Sequence, residues 1–198
     1  EMIFVPGQYW GNGREDELKS LNENLPSSTS MTLTGGKIWG EVSESFLSTL
    51  KNNLSAGGKT YRPVSLWINW PVTDNSKQHL ILGGGEKFLH PNVDPSLLSG
   101  IMLNPMQQSE PSKIALFSGA QYSWKQWKSE EEAKKINDIA FNFVENGHFE
   151  DSKVSAAFRE LGKHMINQNM DNRVVKLEES VDLAPKLTDF MTKLKAGQ

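Results

Sequence analysis

Residues 64–72 read Val-Ser-Leu-Trp-Ile-Asn-Trp-Pro-Val, and the prediction of the fold starts from this stretch. Its side chains alternate between two faces, which are formed by Leu66, Ile68 and Trp70 on one side and by Ser65, Trp67 and Asn69 on the other. A period of two residues is typical of a β-strand. Pro63 and Pro71 limit ladder hydrogen bonding at its ends. The sequence therefore predicts a strand over residues 64–72.

Further strand-like runs and apolar patterns of helical period alternate along the chain. We expect strands at residues 2–5, 30–39, 79–82, 113–117 and 174–177. We expect helices at residues 14–24, 43–54, 94–101, 133–146, 154–165 and 183–194. Such alternation predicts an α/β fold with a mostly parallel or mixed sheet flanked by helices. A hairpin over residues 62–82 would make the sheet mixed, and an α+β fold with a helical C-terminal part stays open as the alternative.

The chain length of 198 residues fits one domain, which we place over residues 1–198. A polar stretch at residues 102–112 marks a possible subdivision into a strand-rich part, residues 1–101, and a helix-rich part, residues 113–198. The helices of the second part each have an apolar face. We expect these faces to be buried, with Phe158 and Phe190 in the core.

The composition argues against several classes of protein. The formal net charge is −3 and no run of Lys or Arg occurs, so we do not expect nucleic-acid binding. No apolar run approaches the roughly 20 residues of a membrane span. The absence of cysteine excludes disulfides and thiolate nucleophiles. The sequence has no signal-peptide pattern, and we favour a cytoplasmic location, with secretion as the alternative.

Glycine, amide and aromatic residues recur after several of the strand-like runs. In open α/β sheets, ligands bind beyond the carboxyl ends of the strands, where glycines let backbone N–H groups approach a ligand and aromatic rings can stack on it. If the strands are parallel, these loops lie at one edge of the sheet and can form one cleft. The candidate ligand-binding residues are Gly7, Tyr9, Trp10, Trp39, Gly84, Gln121, Tyr122 and Trp124.

Three titratable side chains near these loops are candidate catalytic groups. Glu15 and Glu17 follow the first glycine-aromatic loop, so that either carboxylate could reach a bound ligand as a base. His90 follows the glycine run at residues 83–85 and could act as a general base. The four histidines lack the spacing of a metal site, and the glycine runs lack a dinucleotide or phosphate-loop signature. We therefore predict no metal site and no cofactor.

Two functions from different classes fit these residues. The first is an enzyme, a transferase or a hydrolase, that binds a polar ring-bearing small molecule such as a nucleotide or a sugar. The second is a non-enzymatic, secreted or viral protein that binds a host or partner protein through exposed Trp and Tyr side chains, which are frequent in interface hot spots. A concave site around Tyr9, Trp10 and Tyr122 would favour the enzyme, and a flat exposed patch would favour the interaction protein.

Overall fold

A computed structural model describes residues 2–74, 80–147, 150–165 and 183–197. The strand expected at residues 174–177 lies outside these residues. The helices and strands of the described part are β1 Met2–Phe4, α1 Asp16–Asn24, β2 Thr29–Leu33, α2 Glu44–Leu54, β3 Val64–Pro71, α3 Gly85–Phe88, β4 Leu98–Asn104, α4 Ser109–Trp124, α5 Glu130–Asn146, α6 Lys153–Gly162 and α7 Leu183–Lys195.

The four strands form one parallel sheet in the order β1-β2-β3-β4. This confirms the predicted α/β class. Each strand lies beside the strand that precedes it in the chain, and the order does not reverse. Sequential order of parallel strands is the arrangement of (β/α)₈ barrels, whereas doubly wound sheets reverse their order at the ligand site. The sheet thus shares its strand order with (β/α)₈ barrels.

The two faces of the sheet differ in chemistry, as the alternation along β3 predicts. Leu66, Ile68 and Trp70 are fully buried, and Leu33 of β2 shares their face. Helix α4 packs on this face: a Cβ on its Gly119 would lie 2.5 Å from Leu103 of β4. The opposite face of the sheet is more polar. Its side chains come from Thr32 of β2, Ser65, Trp67 and Asn69 of β3, and Met102 and Asn104 of β4.

Several helices begin and end where the sequence provides capping residues. Ser43 caps α2 by accepting a hydrogen bond from Phe46 N at 3.4 Å, and Ser129 caps α5 in the same way. Ser152 and Ser155 form a reciprocal capping box at the start of α6. Gly147 ends α5 in the left-handed conformation that glycine adopts without steric cost. These local signals place the ends of α2, α5 and α6 within three residues of their predicted positions.

Three of the predicted elements are wrong. Residues 113–117 lie inside α4 rather than in a strand. Residues 80–82 belong to no strand, although Ile81 and Leu82 are buried. The short helix expected at residues 94–101 is a 3₁₀ turn, Pro95–Leu97, followed directly by β4. Short apolar runs are compatible with a strand, a buried helix or a buried loop, and tertiary packing decides between them.

The apolar face of α7 does not enter the core, so the expectation for Phe190 is wrong. Phe190 is 58% exposed, and Leu187, Met191 and Leu194 on the same helix are also exposed. Phe158 of α6 is partly buried against the core and meets Phe141 edge-on at a centroid distance of 5.0 Å. The apolar period therefore predicted both helices correctly, but the predicted packing against the core holds for Phe158 of α6 and not for Phe190 of α7.

Candidate functional site

A polar cavity of about 590 Å³ opens where β3 and β4 end. Its volume lies within the range of small-molecule sites. Ligand sites of (β/α)₈ proteins lie at this carboxyl-terminal edge, so that side chains from strand ends and loops converge there. We call this cavity and its surroundings the strand-end site. The cavity is lined by Val72, Thr73, Asp74, Asn104, Pro105, Gln107 and Gln108.

Two asparagines connect the strands below the cavity. Asn104 Nδ2 donates to Asn69 Oδ1 at 3.0 Å, and Asn69 Nδ2 donates to Ile38 O at 2.7 Å. Asn69 is only 7% exposed, so its orientation is fixed by these two bonds. The chain of amides links the loop after β2 to the ends of β3 and β4. It fixes Asn104 at the rim of the cavity, where its amide can contact a ligand.

An aromatic cluster borders the asparagine pair. Trp67 precedes Asn69 by two residues and lies on the same face of β3. The ring of Tyr9 stacks on Trp67 at a centroid distance of 6.1 Å, and Trp10 meets Tyr9 edge-on at 4.8 Å. Thr34 N donates to Tyr9 O at 2.8 Å. Two of the four predicted loops, those after β1 and β2, thus meet at Trp67 and Asn69.

The candidate bases Glu15 and Glu17 both contact the backbone of the loop after β1. Glu17 Oε1 accepts from Gly7 N at 2.8 Å, and Glu17 Oε2 accepts from Gln8 N at 3.0 Å. Glu15 Oε2 accepts from Asn12 N at 3.2 Å and from Gly13 N at 2.9 Å. Each carboxylate therefore binds two neighbouring N–H groups, an arrangement suited to holding the loop. A catalytic role for either residue stays a prediction.

His90 lies in a different environment from the strand-end site. Its Nε2 is 3.2 Å from Glu41 Oε2, and Glu41 also pairs with Lys37 at 3.3 Å. The backbone of His90 is fixed as well, because its N–H donates to Val42 O and its carbonyl accepts from the Tyr122 hydroxyl. No described contact links His90 to the asparagine pair. Its role as a general base also stays a prediction.

The predicted binding residues of the fourth loop lie on α4, because no strand precedes them. Tyr122 is buried in the core and packs on Trp127 at a centroid distance of 4.7 Å. Burial raises the pKa of its hydroxyl. Trp124 is 91% exposed at the end of α4, and Gln121 is partly buried on the same helix. The structure does not bring these three to the strand-end site. Trp39 is partly buried beside Ile38 in the loop after β2.

Gly84 lines a second, smaller cavity of about 190 Å³ between the start of α3 and the helices α5 and α6. It precedes α3 in the left-handed conformation, with φ of 79°. Charged side chains of both signs surround this cavity, including Lys134, Asp138 and Arg159. Gly84 is thus separated from Tyr9 and Trp10, with which it was expected to form one cleft.

The sequence analysis did not identify Asp74 and Asn104, which line the cavity, or Asn69, which bonds to Asn104. These residues lie inside or just after strands rather than in glycine-rich loops. One signal was present: Asn69 shares the face of Trp67 and lies just before Pro71, at the end of the clearest strand. A polar residue at that end of a strand is a candidate ligand-binding residue.

Two classes of feature are absent from the part of the chain that the structure describes. In residues 2–74, 80–147, 150–165 and 183–197, no three acidic or histidine side chains lie close enough together to hold a metal ion. Among the same residues, no helix combines the length and apolarity that a membrane crossing requires.

Comparison with known proteins identifies a matching family. The model of the β-N-acetylglucosaminidase family matches residues 1–163, which include the whole sheet and the strand-end site. Among solved structures, CpGH84D has a TM-score of 0.70 and 28% sequence identity, over 100% of this chain and 31% of that chain.

Two further structures are similar. CpGH84B, at 23% identity and a TM-score of 0.67, shares the fold over 99% of this chain and 32% of its own. A mutant of the Thermobaculum terrenum O-GlcNAc hydrolase has a TM-score of 0.56 and 25% identity, over 74% of this chain and 30% of its own. The chain therefore spans about a third of the length of the structures it matches.

Proposed function

Because this chain belongs to the β-N-acetylglucosaminidase family, we propose that it forms part of a glycoside hydrolase site and that the strand-end site binds an N-acetylglucosamine residue. The observation that carries the proposal is the asparagine pair Asn69–Asn104 at the rim of a polar cavity, within the matched part of the chain. Hydrolysis is favoured over group transfer by the family and by the O-GlcNAc hydrolase among the similar structures. The family also favours the enzyme over the interaction protein.

The side chains of the strand-end site suit a sugar. A pyranose presents several hydroxyl groups around its rim, and an N-acetyl group adds one amide donor and one acceptor. Asparagine amides both donate and accept, so Asn104 can bind either kind of group. Trp67 and Tyr9 provide aromatic surface for the apolar face of the ring. Asp74, an acceptor at the cavity wall, adds selectivity for hydroxyl groups over apolar ligands.

Glycoside hydrolysis ordinarily needs two carboxyl groups on either side of the bond that breaks, roughly 5–9.5 Å apart. In the described residues, Asp74 is the carboxylate that lines the cavity, while those of Glu15 and Glu17 bind backbone N–H groups. We propose that the reacting pair is completed by a segment equivalent to the two thirds of the relatives that this chain does not match. The four strands would then be one half of the complete barrel.

The test is sugar binding by the chain and by an Asn104→Ala variant. We expect N-acetylglucosamine to shift the NMR resonances of Trp67 and Asn69, and glucose, which lacks the acetamido group, to bind more weakly. Removing the Asn104 amide should weaken binding about tenfold or more, because a hydrogen-bonding partner of the sugar is lost.

The matched control is Asn24→Ala, which removes an exposed asparagine whose described hydrogen bonds both lie within α1, to Ser20. Its affinity for N-acetylglucosamine should equal that of the parent. Equal affinity of the Asn104→Ala variant and the parent would contradict the assignment of the site, and absence of any sugar binding would contradict the proposed function of this chain.

A further inference from the structure

The loop at residues 6–13, whose Tyr9 ring stacks on Trp67, has little regular structure of its own. Its one internal backbone hydrogen bond among the described contacts joins Gly11 N to Gln8 O at 2.9 Å. A loop of this kind samples several conformations unless other groups hold it. The position of Tyr9 against Trp67 therefore depends on contacts from outside the loop.

Thr34 N donates to Tyr9 O at 2.8 Å, and Asn53 Nδ2 donates to Asn12 O at 2.9 Å. The remaining outside contacts, and the only ones among the described contacts that bind N–H groups of this loop, come from the two carboxylates at the start of α1. Glu17 binds the N–H groups of Gly7 and Gln8 on one side of Tyr9, and Glu15 binds those of Asn12 and Gly13 on the other. Hydrogen bonds to a carboxylate are about twice as strong as neutral ones. We call Glu15 and Glu17 the carboxylate clamp.

The loop sequence is adapted to the clamp. A Cβ on Gly11 would lie 2.7 Å from the carboxyl group of Glu15 and 2.6 Å from Leu18, so a side chain there would displace Glu15. Asp16, between the two clamp residues, points elsewhere: it is fully exposed, and the ion pair described for it is with Lys19 at 3.7 Å. The helix macrodipole would favour an acidic residue at any of the three positions. Only the clamp residues reach the loop.

We propose that Glu15 and Glu17 are positioning residues, which act through the loop to hold the Tyr9 ring against Trp67 in its sugar-binding position. This inference rests on the proposed function, since it assigns a role within the same site. The apparent affinity of a site falls in proportion to the fraction of molecules whose site is correctly formed. Releasing one end of the loop lowers that fraction.

The experiment compares Glu17→Ala with Asp16→Ala, its neighbour in the same helical turn. We expect Glu17→Ala to weaken N-acetylglucosamine binding about tenfold and to reduce the near-UV circular dichroism of the Tyr9–Trp67 pair. Glu17→Gln, which keeps one acceptor oxygen, should show an intermediate loss. Asp16→Ala should match the parent in both measurements, and melting temperatures of all variants separate these effects from loss of the fold.

A double-mutant cycle with Tyr9→Ala distinguishes positioning from general stabilisation. If Glu17 acts through Tyr9, Glu17→Ala weakens binding in the parent and has no further effect when Tyr9 is absent. An equal loss in both backgrounds would overturn the proposal.

The circular dichroism measurement needs no sugar. If the parent binds no sugar, the proposed function fails. The near-UV spectrum then still tests whether the carboxylate clamp holds the Tyr9 ring against Trp67. An unchanged aromatic signal in Glu17→Ala would overturn the role of the clamp, whereas a reduced signal in that variant and not in Asp16→Ala would support it.

Discussion

Tyr61 precedes β3 and is a polar side chain whose ionisation is coupled to folding. Its hydroxyl donates to Leu97 O at 2.8 Å, which ties the entrance of β3 to that of β4. Burial raises the pKa of Tyr61 from the usual value of 10.0 to about 12. The folded protein therefore holds this proton more tightly than the unfolded chain does. The resulting contribution to stability is complete below pH 10 and is lost as the pH rises from 10 through 12.

We predict that Tyr61→Phe lowers the free energy of unfolding by about 1 kcal/mol at neutral pH, because one hydrogen bond is lost. Above pH 10 the difference between variant and parent should shrink, since only the parent must keep a tyrosine protonated. Urea denaturation of both proteins between pH 7 and pH 11.5 measures this difference. A constant offset over the whole range would contradict the assigned cause.

Elements with a long apolar period are the ones that the sequence predicts best. Helices α2, α5 and α6 have such a period over about three turns or more, together with a serine at the N-cap, and packing and capping agree. α4 lacks a clear apolar face, since small and polar residues such as Ser118 and Gly119 are buried among its apolar ones. The run Ile114–Phe117 alone looks like a strand. A proline near the start of α4, Pro111, was the available helix signal.

Whether a helix packs against the core is harder to predict from sequence than whether the helix forms. Substitution of Phe158 on α6 and of Phe190 on α7 tests which of the two helices packs against the core. We predict that Phe158→Ala lowers the free energy of unfolding by about 3 kcal/mol, because its ring packs on Phe141 in the core. Phe190→Ala should change it by less than about 0.5 kcal/mol, because Phe190 is largely exposed on α7. Thermal or chemical denaturation measures both. Equal losses would show that α7 packs against the rest of the protein.

The candidate site could be predicted only in part, because some of its residues come together through the pairing of strands. The loop after β1, with Tyr9 and Trp10, was identified because glycine and aromatic residues mark it. Asn69 and Asn104 were missed because they come together only through the pairing of β3 with β4. Residues brought together by strand register leave no signal within a single segment of sequence.

At the scale of the whole molecule, the open sheet limits what this chain can do alone. Among the strands that the structure describes, β1 and β4 lie at the two edges of the sheet, and the structures that the chain matches are about three times longer. We predict that residues 1–198 bind N-acetylglucosamine but do not hydrolyse an aryl N-acetyl-β-glucosaminide at enzymatic rates, because a second carboxyl group is missing from the described site. Release of the aryl alcohol, followed by fluorescence, measures this.

The same assay on a longer protein that includes this chain should show hydrolysis, and Asp74→Asn in that protein should reduce the rate. Enzymatic turnover by residues 1–198 alone would contradict the proposal that the reacting pair needs a second segment.

The exposed first strand has a consequence for how this polypeptide can be handled. Met2, Ile3, Phe4 and Val5 are each at least 40% exposed, and one edge of β1 pairs with no other described strand. Natural proteins protect such edges with charges, prolines or a covering element, because an apolar edge strand recruits further strands from other molecules. Purified by itself, the polypeptide is therefore expected to aggregate in a concentration-dependent way, starting from its N-terminal residues. Ile3→Lys should slow that aggregation.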